Sequence, residues 1–193
     1  MTFAPELPID TDRLTLRWID GENDVDAVHA YLSLPDVCRY IPFEPHTREK
    51  VAERLARPVM RQRSLDESGE GQALFFAIVL KDDGRMIGDV MLAWSDDTNA
   101  EIGYVLHPEF HGRGYATEAA RAVLRLAFDG LGVHRVTARI DERNPASAGV
   151  LRKLGMRQEA VLVENEWFKG EWSTEIDFAI LDREWRAGLA SPA

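Results

Sequence analysis

AEIGYVLHPEFHGRGYATEA, residues 100–119, is the stretch whose reading decides the fold. Its first seven residues alternate as a strand to Leu106, and HPEFHGRG is rich in turn formers. From Ala116 on, Ala119, Ala120, Val123, Leu124, Ala127 and Leu131 recur at helical spacing, with Gly130 or Gly132 as the stop. A strand therefore runs through a glycine loop into an amphipathic helix. Gly112 and Gly114 let the backbone approach a ligand closely, and the helix's first-turn amides point at the same place. The arrangement suits a pyrophosphate, although a glycine turn that merely links strand to helix fits the same residues. It is not a dinucleotide fingerprint, because Thr117 stands where Gly or Ala is needed, and it lacks the Gly-Lys-Ser/Thr of a P-loop. His107 and His111 have metal-ligand spacing only on a helix, which Pro108 and Gly112 disfavour, so no metal is expected.

Working outward, residues 14–19 alternate as a strand with Leu14, Leu16 and Trp18 on one face. Residues 25–32 and 47–62 read as helices around the irregular segment RYIPFEPHT. Residues 73–80 form a buried strand by composition, and Asp82-Asp83-Gly84 turns it into a strand over 85–94. A second turn at 96–99 leads into the strand of 100–106, completing a meander. Downstream come a strand over 133–140, a helix opened by Asn144-Pro145 and closed by Gly155, and strands over 159–168 and 172–181 joined by Lys169-Gly170. The expected class is α/β of the α+β type: a mixed, mostly antiparallel sheet flanked by helices.

Composition sets the limits. A chain of 193 residues without a Pro/Gly/Ser-rich linker fits one domain over 1–193, with a core at about 11–181. The lone Cys38 excludes an internal disulfide and a cysteine-clustered zinc site, and a free cysteine is more often a buried apolar residue than a nucleophile. The longest apolar run is far short of the roughly 20 residues of a membrane span, and MTFAPELPID is not a secretory signal. A cytoplasmic protein without membrane contact is expected. The net charge of −10 disfavours direct nucleic-acid binding. Residues 111–157 run the other way, with nine basic and four acidic side chains, so a local polyanionic ligand or a solvated pair of helices is implied.

The stretch at 100–119 resembles the coenzyme-A loop of the GNAT N-acetyltransferases, with His111 where the family has Gln or Arg. NPASAGVLRKLGM, ENEWFKGEW and DTDRLTLRWID are similar to the RimJ/RimL branch, which acetylates ribosomal-protein N-termini and other amines. The resemblance implies the GNAT fold with a splay between the fourth and fifth strands, and acetyl-CoA as cofactor. The implied reaction is direct acetyl transfer to a primary amine, on a protein N-terminus or a small molecule. A non-catalytic acyl-CoA-binding or regulatory module on the same fold is the alternative, and a homodimer stays open.

Carried over residue by residue, Val105 and Leu106 would pair with the pantetheine arm. His111, Gly112, Arg113, Gly114, Tyr115, Ala116 and Thr117 would hold the pyrophosphate. Asn144 would bond the arm, cap its helix, or both. Ser147 would lie near the thioester sulfur, where a hydroxyl can assist the departing thiolate; an ordinary first-turn serine is the other reading. Because transfer needs a neutral amine, a base is required. Glu166 matches the glutamate of the ribosomal-protein serine acetyltransferases, and Glu101 is the second candidate, sharing a strand face with Gly103 and Val105. Tyr40 and Phe43 could line the acceptor pocket.

Overall fold

The apolar run of residues 73–80 lies inside a sheet buried on both faces. The computed structural model describes residues 2–66, 72–96 and 98–190, so part of the expected turn at 96–99 falls outside the described residues. In chain order the elements are β1 (Thr2–Phe3), β2 (Ile9–Asp10), β3 (Leu14–Trp18), α1 (Val25–Leu32), α2 (Pro35–Cys38), α3 (Arg48–Leu55), β4 (Leu65–Asp66), β5 (Gln72–Leu80), β6 (Met86–Asp96) and β7 (Asn99–Leu106). There follow α4 (Tyr115–Arg125), β8 (Arg135–Asp141), α5 (Pro145–Lys153), β9 (Arg157–Phe168), β10 (Glu171–Leu181) and α6 (Asp182–Ala190). The main sheet has the order β2-β3-β5-β6-β7-β8-β10-β9, and its one parallel pair is β7 with β8. This is the mixed, mostly antiparallel sheet expected. β1 and β4 form a small separate pair.

Alternation explains the two cores. Leu74, Phe76 and Ile78 of β5 point into a large cluster beneath α4 and α5, whereas Ala77 and Val79 point into a second cluster beneath α1 and α3. Leu14, Leu16 and Trp18 all face the first cluster, as their spacing predicts.

Three elements depart from expectation. The helix expected over 47–62 ends at Leu55, and a 3₁₀ turn over Pro58–Arg61 follows. Pro58 has no N–H to donate and drives Arg57 into an extended conformation, with ψ of 143°. The helix after the glycine loop continues beyond α4 as a π-helical stretch, Leu126–Leu131, and stops at Gly132 rather than Gly130. There the Phe3 ring lies against Gly130, where a Cβ would come within 2.7 Å of it. The third is α6, which the periodicity reading left unassigned. It docks through Trp185, buried and stacked on Phe128 with ring centroids 5.9 Å apart. Trp185→Ala should therefore cost about 3–5 kcal/mol, read as a lowered denaturant midpoint with little change in m-value.

Candidate functional site

β7 and β8 pair only at Asn99↔Arg135, Ala100↔Val136 and Glu101↔Thr137. Beyond Glu101 they part, although β7 remains paired with β6 as far as Leu106. The His107 N–H donates to the Ile87 carbonyl, so ladder alternation bonds Val105 to Asp89 and turns the N–H and C=O of Tyr104 and Leu106 toward the gap. The strand edge offered to an extended amide-bearing ligand is thus that of Tyr104 and Leu106, with Val105 engaged on the other side. The Leu106 carbonyl already lies 2.9 Å from His111 Nε2. His111 therefore ties the loop back to the strand that precedes it.

The loop ends in a cradle. Gly112 and Gly114 have φ of +72° and +83°, a region that favours glycine. A Cβ on Gly112 would meet nothing within 4 Å. Gly114 is the N-cap of α4, so the first-turn amides of Tyr115, Ala116 and Thr117 have no partner within the helix. They and the helix dipole suit a phosphate, and Arg113 adds charge beside them. Coenzyme A fits these residues on two counts: a strand edge that no strand covers, with only the Leu106 carbonyl taken by His111, for its amide arm, and an open cradle for its phosphates.

The cradle is braced from the far end of the chain. Arg13 Nη1 donates to the Arg113 carbonyl at 2.9 Å, and its guanidinium lies 4.6 Å from the Tyr115 ring centroid. The same side chain pairs with Glu118 of α4 at 2.6 Å, where the Thr11 hydroxyl and the Arg13 amide also donate. Burial would raise the Glu118 carboxyl, but these bonds hold it below its ordinary value. Arg13 was not singled out in the sequence. Its only local signal is its place beside the first strand, and its partner lies more than a hundred residues away.

Asn144 caps α5, its Oδ1 accepting from the Ser147 amide at 3.1 Å. Ser147 is half-buried in the first turn, and its Oγ is 2.9 Å from the Tyr104 hydroxyl. Tyr104 went unnoticed because it lies on a strand 43 positions from Ser147.

On the opposite face of the sheet lies an acidic set. Glu101 is bonded to Arg139 at 3.0 Å. Register places Glu175 across from Asp141 and Glu166 across from Ser173, on the face that carries Glu101. Burial pushes the Glu175 carboxyl up; Arg139 opposes this, while Asp177, Glu166 and Glu101 push the same way. Glu175 was overlooked, yet the alternation of Ser173, Glu175 and Asp177 within a central strand was its signal. Glu166 is exposed, near the tip of the β9–β10 hairpin.

That tip is a two-residue turn with Lys169 and Gly170 both at positive φ, matching the twist of its strands. Lys169 Nζ donates to the Cys38 carbonyl, so the hairpin is tied to α2. Cys38 itself is buried, and burial raises its thiol, which suits a packing residue rather than a nucleophile. Tyr40 is half-buried beside Arg39. Phe43 packs on the cluster beneath α1 and α3, between His46 and Arg54. The structure thus gathers the loop, the splay and Ser147 together, and Glu101, Glu166 and Glu175 on one face.

A family model described as an acetyltransferase (GNAT) domain matches residues 13–157. The chain is 32% identical over 178 residues to an uncharacterized N-acetyltransferase, YnaD, of Bacillus subtilis, covering 92% of this chain and 98% of that protein. It is 33% identical over 177 residues to the uncharacterized N-acetyltransferase p20 of Bacillus licheniformis, covering 91% and 96%. A crystal structure of a GNAT-family acetyltransferase from Bacillus anthracis superposes with a TM-score of 0.78 at 28% identity, covering 95% of this chain and 99% of that one.

Two outcomes follow from this geometry. Gly112→Asp should weaken coenzyme-A binding at least about tenfold in calorimetry, because aspartate tolerates positive φ and places like charge in the open cradle. Gly112→Asn, with the same shape and no charge, should lose much less. The Glu118 carboxyl lies below its unfolded value, so its contribution is present above that value and lost as pH falls. Glu118→Gln should lower Tm at pH 7 by about 2–4 °C, corresponding to about 1 kcal/mol with the half-exposed Arg13 screened by water. The gap should close below about pH 4 in a series of melts.

Proposed function

That the chain belongs to the GNAT family of acetyltransferases is the premise from which we propose its reaction in finer terms. It is an acetyltransferase and uses acetyl-CoA. The acetyl group passes directly to a primary amine, on a protein N-terminus or a small molecule, in the manner of the RimJ/RimL branch. One domain over residues 1–193 houses this chemistry. Two relatives support an amine acceptor. A putative ribosomal N-acetyltransferase, YdaF, of Bacillus subtilis is 29% identical over 66% of this chain. The spermidine N(1)-acetyltransferase of Escherichia coli is 27% identical over 59% of it. The observation that carries the reading is the parting of β7 from β8 beside Ser147, with the cradle of α4 at one end and carboxylates on the open face.

Acetyl-CoA supplies an activated acyl thioester; the chain's own residues do the rest. Gly112 to Thr117 and Arg113 hold the phosphates. The backbones of Tyr104 and Leu106 hold the arm, while Asn144 fixes the turn that carries Ser147. Ser147 stabilises the sulfur as it departs. An amine is protonated near neutral pH, so a carboxylate on the sheet face must accept its proton before attack. Glu166 is the first candidate, open to solvent near the hairpin tip. Glu101 is the second, its carboxylate engaged by Arg139. Glu175, raised by burial, is poised nearer neutrality and is the third. The clustered negative charge also suits a cationic acceptor.

The test is amine-dependent release of free thiol from acetyl-CoA across a panel of N-terminal peptides and polyamines. Release with no amine dependence would point to a non-catalytic coenzyme-A module with adventitious hydrolysis. With an accepted amine, Glu166→Gln should bind coenzyme A normally and lower turnover by about 10²–10⁴-fold. The defect should be worst at low pH and partly relieved as pH rises, since solvent then supplies more neutral amine. Glu101→Gln and Glu175→Gln are the matched variants, and the one with the pH-relieved defect carries the base.

A further inference from the structure

The Tyr104 hydroxyl crosses from β7 to the first turn of α5, where the sheet has no strand pairing to hold the two elements together. Its oxygen is 2.9 Å from Ser147 Oγ, and it also donates to the Ser147 carbonyl at 3.1 Å. The ring packs against the main core, so the hydroxyl is held from behind by rigid neighbours. Asn144 fixes the Ser147 backbone from the other side. Two hydroxyls facing each other share two protons, and the direction of sharing decides what Ser147 can do. If Ser147 donates to Tyr104, it has no proton left for a ligand. If Tyr104 donates its one proton toward both oxygens of Ser147, Oγ and the carbonyl, the serine proton is free to point into the splay.

We infer that Tyr104 is a positioning residue: it donates to Ser147 Oγ and so aims the serine O–H at the coenzyme-A sulfur. This rests on the reading of Ser147 given above and extends it to a residue on another strand. During transfer the carbon–sulfur bond breaks with its electron pair going to sulfur. The amine proton goes to the carboxylate base. The serine proton stays on its own oxygen and is shared with the thiolate. Burial pushes the Tyr104 phenol up to about 12, so it keeps its proton to donate throughout the working pH range. A donor that is itself hydrogen-bonded as an acceptor is polarised and bonds an anion more strongly.

The test reads the sulfur directly. With coenzyme A bound to the enzyme, thiolate absorbance in the ultraviolet is titrated against pH. The wild type should lower the thiol pKa relative to free coenzyme A. Tyr104→Phe and Ser147→Ala should each raise the bound value by about one unit, with Tm and total coenzyme-A affinity at neutral pH nearly unchanged. The double variant should go no further than Ser147→Ala alone, because both changes remove one device. In turnover, both single variants should lose about tenfold or more in kcat at constant KM for acetyl-CoA, and Ser147→Thr should restore most of it. A shift and loss in Ser147→Ala but not in Tyr104→Phe overturns the inference and leaves the role of Ser147 standing. No shift in either variant overturns the role of Ser147 as well. Should Tyr104→Phe be too unstable to titrate, the same coupling is read with Tyr104→fluorotyrosine. Its more acidic phenol should lower the bound thiol pKa below that of wild type, and an unchanged value overturns the inference.

Discussion

The constraint on which the molecule turns is the early end of the one parallel strand pair among the described residues. Antiparallel neighbours exchange hydrogen bonds along their whole length, and β7 does so with β6. Its parallel partner β8 follows it for three residues and then diverges. An unpaired strand edge inside a sheet is costly unless something else satisfies its amides. Here the unpaired edge is what an extended amide-bearing cofactor can complete. Binding there would repair the sheet rather than merely occupy a groove. α5 is carried off at the divergence, which brings Ser147 opposite Tyr104 and opens the way to the acidic face beyond.

Keeping the two strands apart requires support from elsewhere, and the chain provides it at long range. Arg13 and Thr11 clamp Glu118 and the loop carbonyl of Arg113, so the link between β2 and β3 pins the start of α4. Arg143 joins Asp141 at the end of β8 to Glu171 at the start of β10, and Ser173 donates to the same Asp141. Both braces involve carboxylates bonded by several donors, one on each side of the splay.

What was legible in the sequence was whatever acts locally. The alternation of β3, β5 and β7, the glycine loop and the Asn144-Pro145 helix start all depend on neighbours within a few residues, and each is in its expected place. Pro58 was equally local, and its breaking of the expected helix over 47–62 follows from elementary stereochemistry. What was not legible depends on partners brought together by folding. Gly130 and Gly132 offer equal stops by spacing; Gly132 takes the left-handed conformation that ends the helix, while Gly130 stays inside it and admits the Phe3 ring from the other end of the chain. Tyr104 alternates like any strand residue, and only the divergence of β8 gives its hydroxyl something to hold. Glu175 is one of several acidic residues in its segment, and its distinction comes from partial burial on β10, between β8 and β9. α6 is short and marked mainly by Trp185, whose partner Phe128 lies far upstream.

The tie between Lys169 and the Cys38 carbonyl has a consequence for how such a protein can diverge. The loop, the splay and Ser147 come from one continuous stretch of chain, residues 100–147. The β9–β10 hairpin, by contrast, is held to the remote α2 through a main-chain oxygen. A bond to backbone is indifferent to the side chain at position 38. Replacing Cys38 therefore leaves the tie in place so long as Lys169 is kept, and the tie shares no residue with the stretch that carries the loop and Ser147. The two are built from separate lengths of chain, so a substitution in one need not disturb the other.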